Sequence, residues 1–498
     1  MKKRLHALVC LALCAILLTG CTADTTVLPA QTLPPAAPGP EAPIGDAGLQ
    51  YEVIVPLYLP SLDGQSLLTF YETLTISRDQ HPAETILRSL LVHPGNSRVR
   101  ALGGAVTLTL AGSTPVEVSG SVCTVNLSAS ALQLSGQDLY TVALAIAATL
   151  CELEDIQYVN LLVAGTPVAM DVGGYLPLGS LTAQLGQELP VLWEQLSARR
   201  TPVGELPTAT PLTATATLYF PLADGSGIVA EPRRISFPGQ HPQQLMTALL
   251  EALSNGADLI PNAADMPDLN ALLIFAPEIT ALESGGRRAT LHFTSDVLDR
   301  LRAAGCDPAC TFAAITTTLT TFVPSLQQVC VLVGNGALTS LYSEGLGSML
   351  FPGALQNRAD FAHALMGQAT LYVPGGNALA PRVTALPYRS AANPRSLLLL
   401  MASPDVAAIP AGLTDADVLG LAVEDGTLLV NFSARYAEVI CQSEMDQRLV
   451  AYSMVNTLCE RLNVRRVRFT FGGEAVQSLG SSLVWSGEFL YNPALISH

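Results

Sequence analysis

Three stretches of this chain repeat one another in residue type and in spacing, which confines the fold to several copies of one small unit. Leu57-Tyr58-Leu59-Pro60, Leu218-Tyr219-Phe220-Pro221 and Leu371-Tyr372-Val373-Pro374 are versions of one strand ending, followed by turn residues at Asp63-Gly64, Asp224-Gly225 and Gly375-Gly376. His81-Pro82, His241-Pro242 and Asn393-Pro394 then precede leucine-rich runs. Proline in a first helical turn is a start signal, because its missing N–H has no intrahelical partner there. His81 and His241 therefore read as capping residues rather than metal ligands. A second strand alternates strictly, with inward Cys123, Val125 and Leu127, then Ala289, Leu291 and Phe293, then Leu428, Val430 and Phe432. A helix follows with apolar positions three and four apart: Ala143, Ile146, Ala147 and Leu150; Phe312, Ile315, Thr316 and Leu319; Ala451, Met454, Val455 and Leu458. The last strand carries Val159-Leu161-Val163, Val329-Val331-Val333 and Val467-Phe469-Phe471 inward. Each copy thus reads β-α-β-β-α-β, a small α+β two-layer sandwich with two helices on one face of a sheet.

The N-terminus carries an address. Lys2, Lys3 and Arg4 precede an apolar run from Leu5 to Leu18, too short for a stable membrane span, which ends in Leu18-Thr19-Gly20-Cys21. That ending resembles the bacterial lipobox and implies lipidation at Cys21, so the expected location is extracytoplasmic, on the outer face of the cell membrane. Two acyl chains, at about 0.8 kcal/mol per buried CH₂, would make such an anchor stable. The segments then run as signal peptide 1–20, Pro-rich tether 21–50, first copy 51–190, Thr/Pro-rich linker 191–213, second copy 214–345, connector 346–368 and third copy 369–498. The turn-rich linker predicts that copies one and two swing. The apolar connector, with Leu346, Met349, Leu350, Phe351 and Phe361, predicts that copies two and three form a stiffer pair.

Composition excludes several functions. Beyond the signal, 22 arginines face 41 carboxylates, a charge of −19, which argues against nucleic acid as a partner. Lys2 and Lys3 are the only lysines, so a P-loop lysine, a Schiff-base lysine and a Ser-x-x-Lys site are all ruled out. The chain has no Gly-x-Ser-x-Gly and no His-Glu-x-x-His. Glu424-Asp425 is explained by the Asp425-Gly426 hairpin turn. Cys306 and Cys310 form a lone C-x₃-C, short of the four ligands of structural zinc. Trp193 and Trp485 are poor material for a sugar-stacking platform, and Trp485 reads as packing. Cys441 and Cys459 bracket most of one helix, too far apart to bridge. No catalytic, cofactor-binding or metal-binding residue is expected, and the protein is not expected to be an enzyme.

The set Leu-Tyr-x-Pro, Val430-Asn431-Phe432-Ser433, Asn456-Thr457-Leu458 and Val467-x-Phe469-x-Phe471-Gly472-Gly473 resembles the GerMN domain of GerM-like sporulation and spore-germination lipoproteins. Copy one keeps Val125-Asn126-Leu127-Ser128; copy two departs most, with Leu291-His292-Phe293-Thr294. The resemblance implies a non-catalytic membrane scaffold in sporulation or germination. Its partners would be other envelope or spore-assembly proteins, with self-association conceivable through sheet edges or helix faces. The alternative is an envelope solute- or glycan-binding lipoprotein unrelated to sporulation.

Overall fold

The computed structural model describes residues 42–168, 176–199, 211–283, 285–391 and 393–497. The signal peptide, Cys21 and most of the tether lie outside the described residues. Before the first copy comes β1 (Gly45–Gly48). Copy one contains β2 (Gln50–Pro60), β3 (Leu67–Ser77), α1 (Ala83–Val92), β4 (Val116–Ser119), β5 (Val122–Leu127), α2 (Gly136–Leu150), β6 (Tyr158–Val163), β7 (Thr166–Pro167) and α3 (Leu189–Ser197). Copy two contains β8 (Leu212–Pro221), β9 (Ile228–Phe237), α4 (Pro242–Ser254), β10 (Glu278–Ala281), β11 (Arg287–Phe293), α5 (Val297–Ala303), α6 (Pro308–Phe322), β12 (Leu326–Val333) and β13 (Gly336–Ala337). The connector forms β14 (Ser340–Ser343), β15 (Gly347–Leu350) and β16 (Leu355–Gln356). Copy three contains β17 (Met366–Gly375), β18 (Ala378–Pro387), α7 (Tyr388–Ala391), α8 (Pro394–Met401), β19 (Val418–Glu424), β20 (Thr427–Phe432), α9 (Ala434–Gln442), α10 (Gln447–Leu462), β21 (Arg466–Phe471) and β22 (Glu488–Leu490).

The repeated small α+β unit is what folds, with one strand per copy that the sequence pattern does not reveal. The Leu-Tyr-x-Pro strand turns back on β3, β9 or β18 as a two-stranded hairpin separate from the main sheet. In each main sheet the two apolar strands pair in parallel, β5 with β6, β11 with β12 and β20 with β21, as a crossover through a helix requires. The crossover helix touches both the hairpin and the sheet. That placement is why α6 is buried along its whole length and α2 from Leu139 onward, rather than on one stripe. All nine inward residues of β5, β11 and β20 are fully buried. The Asp425-Gly426 turn closes β19 on β20 with both residues at positive φ, 47° and 72°.

Two expectations change. Copies one and two share a single hydrophobic core that runs from Val55 to Met366, whereas copy three has its own core from Ala369 to Phe489. Swinging between copies one and two would tear that shared core, so the stiffest junction is theirs. The connector does pack, with Met349, Phe351 and Phe361 buried in the shared core and β16 hydrogen-bonded to β12, while Leu350 points outward. Cys441 and Cys459 lie on two helices, α9 and α10, and not on one. Cys123, Cys151, Cys306, Cys310, Cys330, Cys441 and Cys459 are all free thiols.

Candidate interaction site

Each copy is locked by the same two polar devices. The main-chain N–H of the Leu-Tyr-x-Pro tyrosine has no strand partner and donates to a threonine inside the crossover helix: Tyr58 to Thr149 at 3.0 Å, Tyr219 to Thr318 at 2.9 Å, Tyr372 to Thr457 at 3.0 Å. A buried donor left unmatched costs about 1–3 kcal/mol, which explains a hydroxyl at this position of each crossover helix. The signal was visible as Thr-Leu at the same helical position in all three copies. The second device uses the asparagine between inward strand residues. Asn126 Oδ1 accepts from Gly165 N–H at 2.8 Å, and Asn431 Oδ1 from Gly473 N–H at 3.0 Å, each fastening the glycine turn after the last strand. His292 of copy two reaches the same turn in the opposite sense, its Nε2–H donating to the Gly334 carbonyl.

The proline-start residues act as caps. His241 Nδ1 accepts from Gln243 N–H, His81 Nδ1 from Ala83 N–H at 3.2 Å, and Asn393 Oδ1 from Arg395 N–H at 2.9 Å. The Cys306 and Cys310 thiols point to separate backbone carbonyls, of Asp265 and Gly225. Burial pushes the Cys306 thiol up to about 11. Among the described residues no three His, Cys, Asp or Glu stand together as metal ligands. Trp485 is fully buried, edge-on to Phe469 and Phe471, with its indole N–H on Gln447 Oε1 at 3.1 Å. No helix among the described residues is long and apolar enough to cross a membrane. Cys21, the expected lipidation site, lies outside the described residues.

The surfaces between copies carry the richest chemistry. The outer face of the β8 strand lies on the outer face of the copy-one sheet, where Asn160 Nδ2 donates to Thr217 Oγ1 at 3.0 Å and to Thr124 Oγ1 at 3.2 Å. Ser180 Oγ donates to Asn160 Oδ1 at 2.7 Å, and the Tyr219 hydroxyl sits 3.3 Å from Thr124 Oγ1. Beside them Arg358 of the connector, almost fully buried, pairs with buried Glu117 of copy one and donates to the Tyr219 hydroxyl at 3.0 Å. Two buried charges are tolerated here because they neutralise each other and Arg358 also donates to Tyr219 and Thr321 of copy two. In copies one and three the matching tyrosine hydroxyls are held instead by Glu152 and Glu460. Copy two has Thr321 at that helical position, and Arg358 donates to it.

Copy one is also fastened to copy three. β1 pairs in parallel with β19, Gly45 beside Gly420 and Gly48 beside Ala422. Gly420 has room for no side chain, since a Cβ there would lie 2.5 Å from the Pro43 carbonyl oxygen. Arg395 grips Asp46 with two bonds of 2.8 and 2.7 Å, and Asp46 Oδ1 also accepts from Leu421 N–H at 3.1 Å. Leu49, 1% exposed, plugs the core of copy three. From copy one, Arg78 donates to the Leu462 carbonyl at the C-terminal end of α10, where a cation suits the helix dipole. Residues 42–50, expected to be tether, are thus a folded strap.

Two clefts flank the junction of copies one and two. One, of about 310 Å³, is lined by Tyr140, Gln184, Gln195, Arg199 and Arg234 among others, with no carboxylate among the described residues that line it. The other, of about 340 Å³, has Asn126, Gln327, Gln328 and Asn357 around the Glu117–Arg358 pair.

Comparison with known proteins follows the repeat. No curated protein matches the chain. Among solved structures, the tandem GerMN domains of the sporulation protein GerM from Bacillus subtilis align at 20% identity over 57% of this chain and 92% of that one, with a TM-score of 0.21. The first GerMN domain of the same protein aligns at 20% identity over 26% of this chain and 98% of that one, TM-score 0.22. A Clostridium perfringens protein described as a lipoprotein aligns at 15% identity over 28% and 91%, TM-score 0.18. The family named Germane, described as sporulation and spore germination, matches residues 56–169 and 370–477, which fall in copies one and three. Copy two lies outside both matches and keeps the Tyr219–Thr318 lock and a ring-to-turn bond at His292. Copies one and three of this chain thus match the Germane family, described as sporulation and spore germination.

Proposed function

We propose that this protein is a lipid-anchored, extracytoplasmic scaffold that assembles envelope proteins during spore formation or germination. The observation that carries the reading is the double match to a family described by sporulation and spore germination, in a chain that begins with a lipobox-like Leu18-Thr19-Gly20-Cys21. The tight closure of three copies on one another supports a structural role, because the polar groups between copies, such as Asn160 with Thr217 and Arg358 with Glu117, bond to one another. Deleting the gene in the native host and counting heat-resistant colony-forming spores tests the reading. A large drop with normal vegetative growth is expected, and restoration by the wild-type gene but not by Cys21→Ser. An unchanged spore count refutes it. A second reading, binding of an anionic solute, rests on the cleft that holds the Arg199 and Arg234 side chains, with no carboxylate among its described lining residues. Calorimetry with phosphorylated and uronic sugars separates the two, since only the second predicts heat that Arg234→Ala abolishes.

A further inference from the structure

A third cleft lies where copy one meets copy three. Of about 300 Å³, it is lined by Asp79, by Glu84 of α1, by Val116 and Val118 of β4, and by Tyr388 and Arg389 of α7. Sites for small molecules begin at about this size, so the cleft suits one small molecule and not a macromolecule.

Every charged or titrating group on that lining is matched, except one of each sign. His81 Nδ1 accepts from Ala83 N–H, which leaves the proton on Nε2, and that nitrogen meets Asp155 at 2.9 Å. Glu84 is bound twice by Arg88, one turn further along α1, at 3.0 and 2.6 Å. Asp79 accepts no hydrogen bond from any described residue, although one of its carboxylate oxygens is buried. That is a costly condition for an ionised group. Arg389, itself exposed, donates from Nε to the Tyr388 hydroxyl at 3.1 Å and from Nη2 to the Ser113 carbonyl at 2.9 Å. Two bonds to neutral acceptors fix the guanidinium plane, while among the described residues no carboxylate answers its charge.

The remaining walls complete the picture. Successive residues of a strand face opposite ways, so β4 turns Glu117 toward Arg358 and presents only Val116 and Val118 here. Burial pushes the Tyr388 phenol up, which keeps it an O–H able to donate beside Arg389. A carboxylate without a donor, a guanidinium without a counter-charge and an apolar strip are complementary to a molecule that carries an ammonium, a carboxylate and an aliphatic group. A simple anion would meet Asp79 and Glu84, and a simple cation would meet Arg389, whereas a zwitterion satisfies both ends.

We propose that this cleft binds a free α-amino acid with an aliphatic side chain, its ammonium on Asp79 and its carboxylate on Arg389 and the Tyr388 hydroxyl. Because copies one and three each supply one end, the bound molecule joins them. The site is separate from the Arg199–Arg234 cleft and does not depend on the sporulation reading: either can fail while the other stands.

Calorimetric titration of the full chain with Cys21→Ser, which removes the proposed acyl acceptor and lies outside the cleft, tests this. L-leucine, at up to about 10 mM, should bind. Isocaproate, which lacks the ammonium, and isoamylamine, which lacks the carboxylate, should each bind about tenfold or more weakly. Asp79→Asn should weaken L-leucine about tenfold and leave isocaproate unchanged. Arg389→Gln should weaken L-leucine about tenfold and leave isoamylamine unchanged. Absence of heat with L-leucine, L-valine and L-isoleucine overturns the proposal. An analogue of single charge that matches L-leucine overturns it too. So do variants that weaken all three probes alike, because the cleft then does not read the two charges separately.

Discussion

Leu49→Ala should loosen one edge of copy three and leave the rest of the molecule folded. Leu49 is 1% exposed and its side chain belongs to the copy-three core, so the substitution removes buried methyl groups and leaves a cavity. Such a change costs about 2–5 kcal/mol, and at about 1.4 kcal/mol per factor of ten the strap should open roughly 30- to 4000-fold more often. The Asp46–Arg395 grip and the pairing of β1 with β19 act on the same few residues, so they open together as one local unit. Hydrogen exchange followed by mass spectrometry reads this directly. Peptides that cover 43–50 and 418–424 should exchange faster by that factor, and those from α2, α6 and β5 should be unchanged. Equal acceleration in all three copies would show that the strap is no independent unit. Unchanged exchange at 43–50 would show that Leu49 does not hold it.

Other outcomes follow from the same contacts. Thr318→Val keeps shape but strands the Tyr219 N–H inside copy two, and should lower stability by about 1–3 kcal/mol in urea unfolding. Glu117→Ala leaves buried Arg358 without its counter-charge and should cost about 3–5 kcal/mol, whereas Glu117→Leu with Arg358→Met should recover most of that loss. Equal losses in the single and the double variant would refute the charge argument. Asp417, buried beneath copy three, is held well below the usual carboxylate range by Arg435, with Ser433 and Thr414 adding bonds. A depressed carboxyl stabilises above its unfolded pKa of about 4 and loses that contribution as pH falls toward the folded value. The urea midpoint should therefore fall between about pH 4 and pH 2 in the wild type, and Asp417→Asn should flatten that fall while lowering stability at neutral pH.

How much of this was legible depends on what each residue packs against. Strands such as Leu428-Val430-Phe432 and helices such as Ala143-Ile146-Ala147-Leu150 lie in their own copy's core, so their period is written locally and was read correctly. β18 is mostly exposed, and β9 carries Pro232, Arg233 and Arg234. These second hairpin strands pack by an edge and show no clean alternation. Thr124, Asn160 and Thr217 are hydrophilic and fall on outward positions, so a pattern reading assigns them to solvent; their burial comes from another copy. Glu117 and Arg358 are 241 residues apart, and nothing near either announces the other. The strap Gly45-Asp46-Ala47-Gly48 has almost no side chains from which a strand could be inferred.

That strap also decides how the molecule takes a pull. A string of tethered domains would transmit tension one domain at a time, the first bearing it before the second. Here tension applied at Ala42 enters through a strand bonded to β19 and through the Asp46–Arg395 grip, so the last copy in sequence carries load before the first. The three copies then work as a closed loop under shared strain, and the Asp46–Arg395 contact becomes the fuse that sets the force at which the loop opens.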